Sequence, residues 1–293
     1  MELSLQGFEL DYPAMTTKVL FINKFLKPDY LNDCLFHGFS KLDLELEVTN
    51  KPSYMLKSFP RLRSLYGKGF TVYGLLNSFG KVEPNPQEKI KDKYYDIIIY
   101  GSLHRDRSYS DIVLNYYSRD KILSFDGEDH LKIYEPFVNS TVYFKRENAN
   151  NRQDVKPISF SIPEEKIITK SINKNKLFAK VIPGDLSTYI FDEEKDYYQD
   201  YGCSFYGHTW KKGGWDCMRH YEILAAGCIP CFRDLDKCPK GIMKNFPKDL
   251  ILKMNKYSQK GEIPSNYYDV QEELITYTKN NLTTKQTCKK ILQ

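Results

Sequence analysis

Apolar residues fall in short blocks along the chain, and polar stretches of helical period separate them. Residues 17–23 (TKVLFIN), 95–100 (YDIIIY), 121–125 (KILSF) and 141–144 (TVYF) are strand-length and rich in Val, Ile, Phe and Tyr. Such runs predict strands buried on both faces. Residues 42–48 (LDLELEV) alternate strictly and predict a strand with one wet face. After Pro28 and Asp29, residues 30–38 put Leu31, Cys34, Leu35 and Gly38 on one helical face. Residues 110–117 predict a second helix. Residues 51–70 read as a loop, with Gly67 and Gly69 leading into residues 70–73 (FTVY). Strands alternating with helices predict a parallel α/β sheet.

Residues 148–156 (NANNRQDVK) are polar and predict a linker. It divides the chain into residues 1–150 and 151–293, with the last helix free to return to the first unit. Residues 157–162 and 177–182 open the second unit, and residues 192–201 predict a charged, Tyr-rich helix. Residues 229–232 predict a strand, and the remainder is mostly helical, with loops at Pro239, Pro247 and Pro264.

The bulk composition narrows the class. A chain of 293 residues that is 41% hydrophobic can bury two modest cores. Its mean hydropathy is −0.55, and no run approaches the roughly 20 apolar residues of a spanning helix. The first residues lack a basic start and an apolar core, so no secretory leader and a cytoplasmic location are expected. A net charge of +5 is too mild to argue for a nucleic-acid partner. The seven cysteines are odd in number, which predicts reduced thiols. Cys228, Cys231 and Cys238 have a spacing open to zinc, but the first two sit where a helix hands over to a strand, which favours core thiols.

The densest chemistry lies in residues 213–230 (GGWDCMRHYEILAAGCIP). Gly213 and Gly214 permit a tight loop that a ligand can approach closely. Asp216 predicts the N-cap of a helix over residues 217–226, and Gly227 its stop. Cys217, Tyr221, Leu224, Ala225 and Cys228 fall on one buried face, while Arg219 and Glu222 share another. A glycine loop at a helix N-terminus suits phosphate. Arg219 can add a charge-assisted contact, and Glu222 can accept ribose hydroxyls. The plainer alternative is an amphipathic helix whose Arg219–Glu222 pair is worth about 0.2–0.5 kcal/mol. Spacing does not separate the two, and an Asp216 carboxylate beside a diphosphate would repel it.

The string GGWDCMRHYEILAAGCIPCF resembles the donor-site helix of GT-B glycosyltransferases and is similar to the exostosin-like and CgeB-like groups. YLNDCLFHGF, LYGKGFTVY, DIIIYGSLHRD, FDGEDH and YFKRE are similar to blocks of uncharacterised microbial and large-DNA-virus glycosyltransferase-like proteins. The resemblance implies two Rossmann-like domains facing a central cleft. It implies a UDP- or GDP-linked sugar donor, a glycan or glycoprotein acceptor, inversion, and no essential metal. It assigns the donor ribose to Glu222 and the diphosphate to Arg219. Gly213, Gly214, Trp215, Lys211 and Lys212 complete the expected donor site.

Ligands of open α/β sheets bind beyond the carboxyl ends of the strands. Residues 104–106, 126–130 and 145–147 are polar clusters at such ends. An inverting transfer needs a base for the acceptor hydroxyl, and Asp126, Glu128, Asp129 and His104 are the candidates. His37, Asp33 and Arg105 are the candidate acceptor contacts. Lys145 and Arg146 read as surface charges unless the linker folds back over the cleft. Two alternatives remain: a metal-dependent GT-A-like transferase with Mn²⁺ or Mg²⁺ on Asp126–Asp129, and a non-catalytic nucleotide-sugar or glycan binder.

Overall fold

The computed structural model describes residues 16–60, 71–150, 152–169 and 172–293. The leader reading up to residue 15, and Gly67 and Gly69, lie outside these residues. The larger sheet contains β1 (Thr17–Ile22), β2 (Leu44–Val48), β3 (Lys81–Val82), β4 (Ile97–Tyr100), β5 (Ile122–Asp126), β6 (Val142–Lys145) and β7 (Lys156–Pro157). Its seven strands run parallel in the order β3-β2-β1-β4-β5-β6-β7. Helices α1 (Tyr30–Phe39), α2 (Gln87–Lys91), α3 (Ser110–Tyr116) and α4 (Glu135–Ser140) lie in the connections. The order reverses between β1 and β4, which is the topological switch point of a Rossmann-like sheet.

The apolar runs explain the layering. Val19 and Phe21 of β1 join a core with Cys34, Leu35 and Phe36 of α1. Leu20 and Ile22 join the opposite core with Ile90, Val113 and Phe137. A strand buried on both faces reads as a continuous apolar run.

A smaller sheet follows, with β8 (Lys176–Phe178), β9 (Ser204–Trp210) and β10 (Ile229–Arg233). Its strands are parallel in the order β10-β9-β8. Helix α5 (Glu194–Gly202) links β8 to β9, and α6 (Met218–Ala225) links β9 to β10. Three helices close the chain: α7 (Lys248–Ser258), α8 (Tyr267–Asn281) and α9 (Thr284–Ile291). Asn255 of α7 holds both the N–H and the C=O of Phe232, at 3.0 and 2.7 Å, and so closes the edge of β10. Helix α9 packs on α1, where a Cβ on Gly38 would collide with the Thr284 carbonyl oxygen. The α1-side core is continuous with Tyr206, Tyr221, Phe232 and Leu274 of the smaller unit.

Several expectations are corrected. The stretch read as a linker ends in β7, so Lys156 and Pro157 belong to the first sheet. Among the described residues, the sheet of the second unit has three parallel strands. Lys145 and Arg146 are buried, not surface charges, because the 213–214 loop and the 126–129 turn close over them. Among the described residues, no helix is long and apolar enough to cross a membrane.

Candidate functional site

Helix α6 starts after Cys217, which is its N-cap without a side-chain bond. Asp216 is therefore not the cap. It is 3% exposed, and its carboxylate accepts from Phe160 N at 2.7 Å and Tyr221 Oη at 2.9 Å. Burial pushes the Asp216 carboxyl up to about 6. Gly227 ends the helix with φ of 66°, a conformation that favours glycine. Cys228 and Cys231 are buried free thiols, and among the described residues no three His, Cys, Asp or Glu side chains converge as a metal site.

Arg219 and Glu222 do not pair. Glu222 is 4% exposed and accepts from Thr71 Oγ1 at 2.5 Å and Tyr197 Oη at 2.7 Å. Reaching a ribose would require displacing those hydroxyls. Arg219 is half-buried and donates to Tyr189 Oη at 3.3 Å, with its guanidinium 5.6 Å from the same ring. Its Nε is buried without a partner, and it forms no ion pair among the described residues.

The glycine loop is built against protein rather than left open. A Cβ on Gly213 would collide with Asp129, and one on Gly214 with Glu147. Both carboxylates are bound to Arg146, which is 2% exposed. Its Nη1 also donates to the Asp216 carbonyl at 2.5 Å, and its Nε to the Gly127 carbonyl at 3.0 Å. These two glycines are needed for close packing of the two units, and their nearest side-chain charges are negative. Trp215 is half-buried under Lys211, whose Nζ lies 5.5 Å from its ring, and Lys211 and Lys212 are exposed. Trp215 is anchored through its carbonyl to His220 Nε2 at 2.9 Å.

On the larger unit, the ends of β4 and β5 bring another group together. His104 Nε2 lies 2.7 Å from Glu128 Oε1, and both are partly exposed. Asp29, the N-cap of α1, accepts from Ser102 Oγ at 2.6 Å and pairs with Arg105 Nε at 3.2 Å. His130 Nε2 lies 3.9 Å from Glu128 Oε2. His104 Nε2 also accepts from Arg105 Nε at 3.2 Å, and Nδ1 lies 3.4 Å from Ser102 Oγ, so the ring is held from both nitrogens.

The other expected residues fare differently. Asp126 is 5% exposed and bound to Lys145 Nζ at 2.8 Å and Tyr143 Oη at 2.6 Å. Asp129 faces Arg146. Both carboxylates serve buried cations, which removes them as free bases. Asp33 and His37 are fully buried, so neither meets a ligand in this conformation. Asp33 accepts from Tyr54 Oη at 2.6 Å, and burial raises its carboxyl to about 7. His37 Nδ1 lies 2.8 Å from Thr284 Oγ1 and tethers α9. Arg105 stays at the open corner but is held by Asp29 and by the Lys27 and Pro28 carbonyls. The sequence reading missed Asp29, whose position as a helix N-cap beside Pro28 was the available signal. It also missed Tyr189, for which no local pattern stands out.

The fold defines a class, an α/β chain with a seven-stranded parallel sheet of Rossmann-like order. Comparison with protein-family models, curated proteins and solved structures found no match to this chain.

Proposed function

We propose that this chain is a glycosyltransferase that uses a nucleotide-linked sugar, with the donor diphosphate on Arg219 and the acceptor activated by His104. In this reading the three-stranded unit serves the donor and the seven-stranded unit the acceptor, in a reduced GT-B arrangement. The observation that carries it is the half-buried Arg219 guanidinium, which among the described residues bonds to a tyrosine and to no carboxylate. Burying a charge is costly unless it is paired. An anion such as a diphosphate supplies the missing partner. The usual Rossmann phosphate position at the start of α1 does not compete, because Asp29 fills it with a carboxylate of its own.

In the proposed reaction the acceptor oxygen attacks the anomeric carbon and its proton passes to the His104 imidazole. Glu128, 2.7 Å from His104 Nε2, stabilises the imidazolium that forms. The bond from the anomeric carbon to the diphosphate oxygen breaks, and the nucleoside diphosphate leaves with charge balanced by Arg219. One displacement inverts the anomeric centre. A divalent ion on Asp126 and Asp129 would first have to displace Lys145 and Arg146, so the geometry favours the metal-independent route.

Release of UDP or GDP from a panel of their sugars, with simple glycan acceptors, tests the reading. His104→Ala is expected to lower release by about 10²–10⁴-fold, the usual worth of a general base. Nucleotide binding without release from any sugar would leave a binder rather than a transferase.

A further inference from the structure

A cavity of about 340 Å³ is lined by residues that follow the 126–130 turn and strand β6, outside the groups placed in the reaction above. Its floor includes Lys145, Glu147 and Asn148, all buried. Lys145 Nζ donates to the Glu128 carbonyl at 3.0 Å, which joins the cavity to the turn that carries the His104–Glu128 pair. Both lie at carboxyl ends of strands in the larger sheet, where α/β ligands bind.

The charges on the floor of this cavity and on Arg152 are paired within the protein. Lys145 is paired with Asp126 at 2.8 Å, and Glu147 with Arg146 at 2.8 Å. Arg152 is paired with Glu135 at 2.6 Å. Lys132 and Asn150 are exposed at the rim, where water solvates the Lys132 charge, and both can donate to a hydroxyl. Leu131 is 52% exposed and gives the rim an aliphatic wall. A ligand matched to these groups is uncharged, has many hydroxyls and carries an apolar C–H face. Ligand pockets typically start near 300 Å³, so this one suits one or two rings.

We propose that the cavity is a sugar subsite that holds a neutral ring of the glycan acceptor beyond the reacting hydroxyl. This rests on the transferase reading for its role, but not for its binding chemistry. The test is titration of the full chain with lactose and, separately, N-acetylglucosamine, followed by assigned backbone amide NMR signals. Shifts are expected to cluster at residues 131–133, 148–150 and 152. Lys132→Ala is expected to weaken binding several-fold. Asn150→Trp fills the cavity from an exposed position and is expected to weaken it at least tenfold, with signals elsewhere unchanged. No clustered shift with either sugar, or Asn150→Trp and Lys132→Ala both binding like the wild type, overturns the proposal. A parallel titration with UDP and GDP separates the two ideas. Sugar shifts without nucleotide binding would keep the subsite and remove the transferase. Nucleotide binding without sugar shifts would do the reverse.

Discussion

Two arginines flank the junction between the units, and their surroundings differ in kind. Arg146 is 2% exposed and meets Asp129, Glu147 and the carbonyls of Gly127 and Asp216. Arg219 is less buried, yet its one hydrogen-bond acceptor among the described residues is a tyrosine, and its Nε has none. A guanidinium carries five donors and no acceptor, so its needs are easily counted. Arg146 has met them within the protein and acts as a clasp. Arg219 has not among the described residues, and that asymmetry points to an external anion. The comparison also relocates the glycines. They were expected at a diphosphate, whereas Gly213 and Gly214 make room for the carboxylates that serve Arg146.

Removing the clasp should have the largest effect. Arg146→Ala leaves Glu147 and the Asp216 carbonyl buried without their cation. Breaking a buried pair from one side costs about 3–5 kcal/mol. Urea denaturation should show a loss of that size, and a loss under about 1 kcal/mol would mean that Arg146 is not the clasp described. Arg219→Ala should behave oppositely. It orphans no carboxylate among the described residues, so stability should hold or rise. Affinity for UDP or GDP, read by calorimetry, should fall by roughly 10–100-fold, matching about 1.5–3 kcal/mol for a hydrogen bond to a charged group. Unchanged affinity in the folded variant would break the distinction between the two arginines.

The sequence disclosed one of these roles more readily than the other. The strands of the larger sheet were legible, because runs such as residues 97–100 are buried on both faces and carry β-branched side chains. Glu47 shows where periodicity stopped helping. Alternation put it on a wet face, yet it is 2% exposed and held by Lys89 and by Tyr95 Oη at 2.7 Å. Both partners come from far along the chain, which a local pattern does not reveal. Arg146 failed for the same reason, since its partners at residues 129 and 216 meet it through folding alone. Arg219 was legible as chemistry, but its lack of a counter-ion was not. The His104–Glu128 pair was legible as two candidates and not as a pair, because they sit on loops after different strands.

His220 sharpens the comparison because both arginines act on it. It is fully buried, with Nε2 donating to the Trp215 carbonyl and Nδ1 accepting from Thr209 Oγ1 at 2.8 Å. Burial, with Arg219 and Arg146 adding to it, lowers its pKa to about 3. The unfolded chain takes up this proton near pH 6.5 and the folded chain does not. The contribution of neutral His220 is thus complete above pH 6.5 and is lost as pH falls toward 3. Asp33 and Asp216 have raised values and titrate in the opposite sense, so only a difference between proteins isolates His220. The stability penalty of His220→Gln should shrink by about 2 kcal/mol between pH 8 and pH 5. Parallel denaturation curves for both proteins at each pH measure it, and a penalty that does not change would place the imidazole in a wetter site than this one.

The smallest effect concerns Tyr189, the one acceptor that Arg219 has among the described residues. Its hydroxyl takes the Arg219 proton at 3.3 Å and a second from Gly184 N at 3.1 Å. An anion arriving at Arg219 must compete with that hydroxyl. Tyr189→Phe keeps the ring near the guanidinium and removes the competing oxygen. The hydrogen bond is worth about 0.5–1.5 kcal/mol net, so UDP or GDP affinity should tighten by a few-fold, up to about tenfold. The same change frees the Gly184 N–H, which is exposed enough for water to replace its partner. A weaker affinity in Tyr189→Phe would mean that the phenol contacts the ligand rather than standing in for it. Arg219 would then share its anion with Tyr189, and the two arginines would differ in ligand contact but not in whether the protein had already supplied a partner.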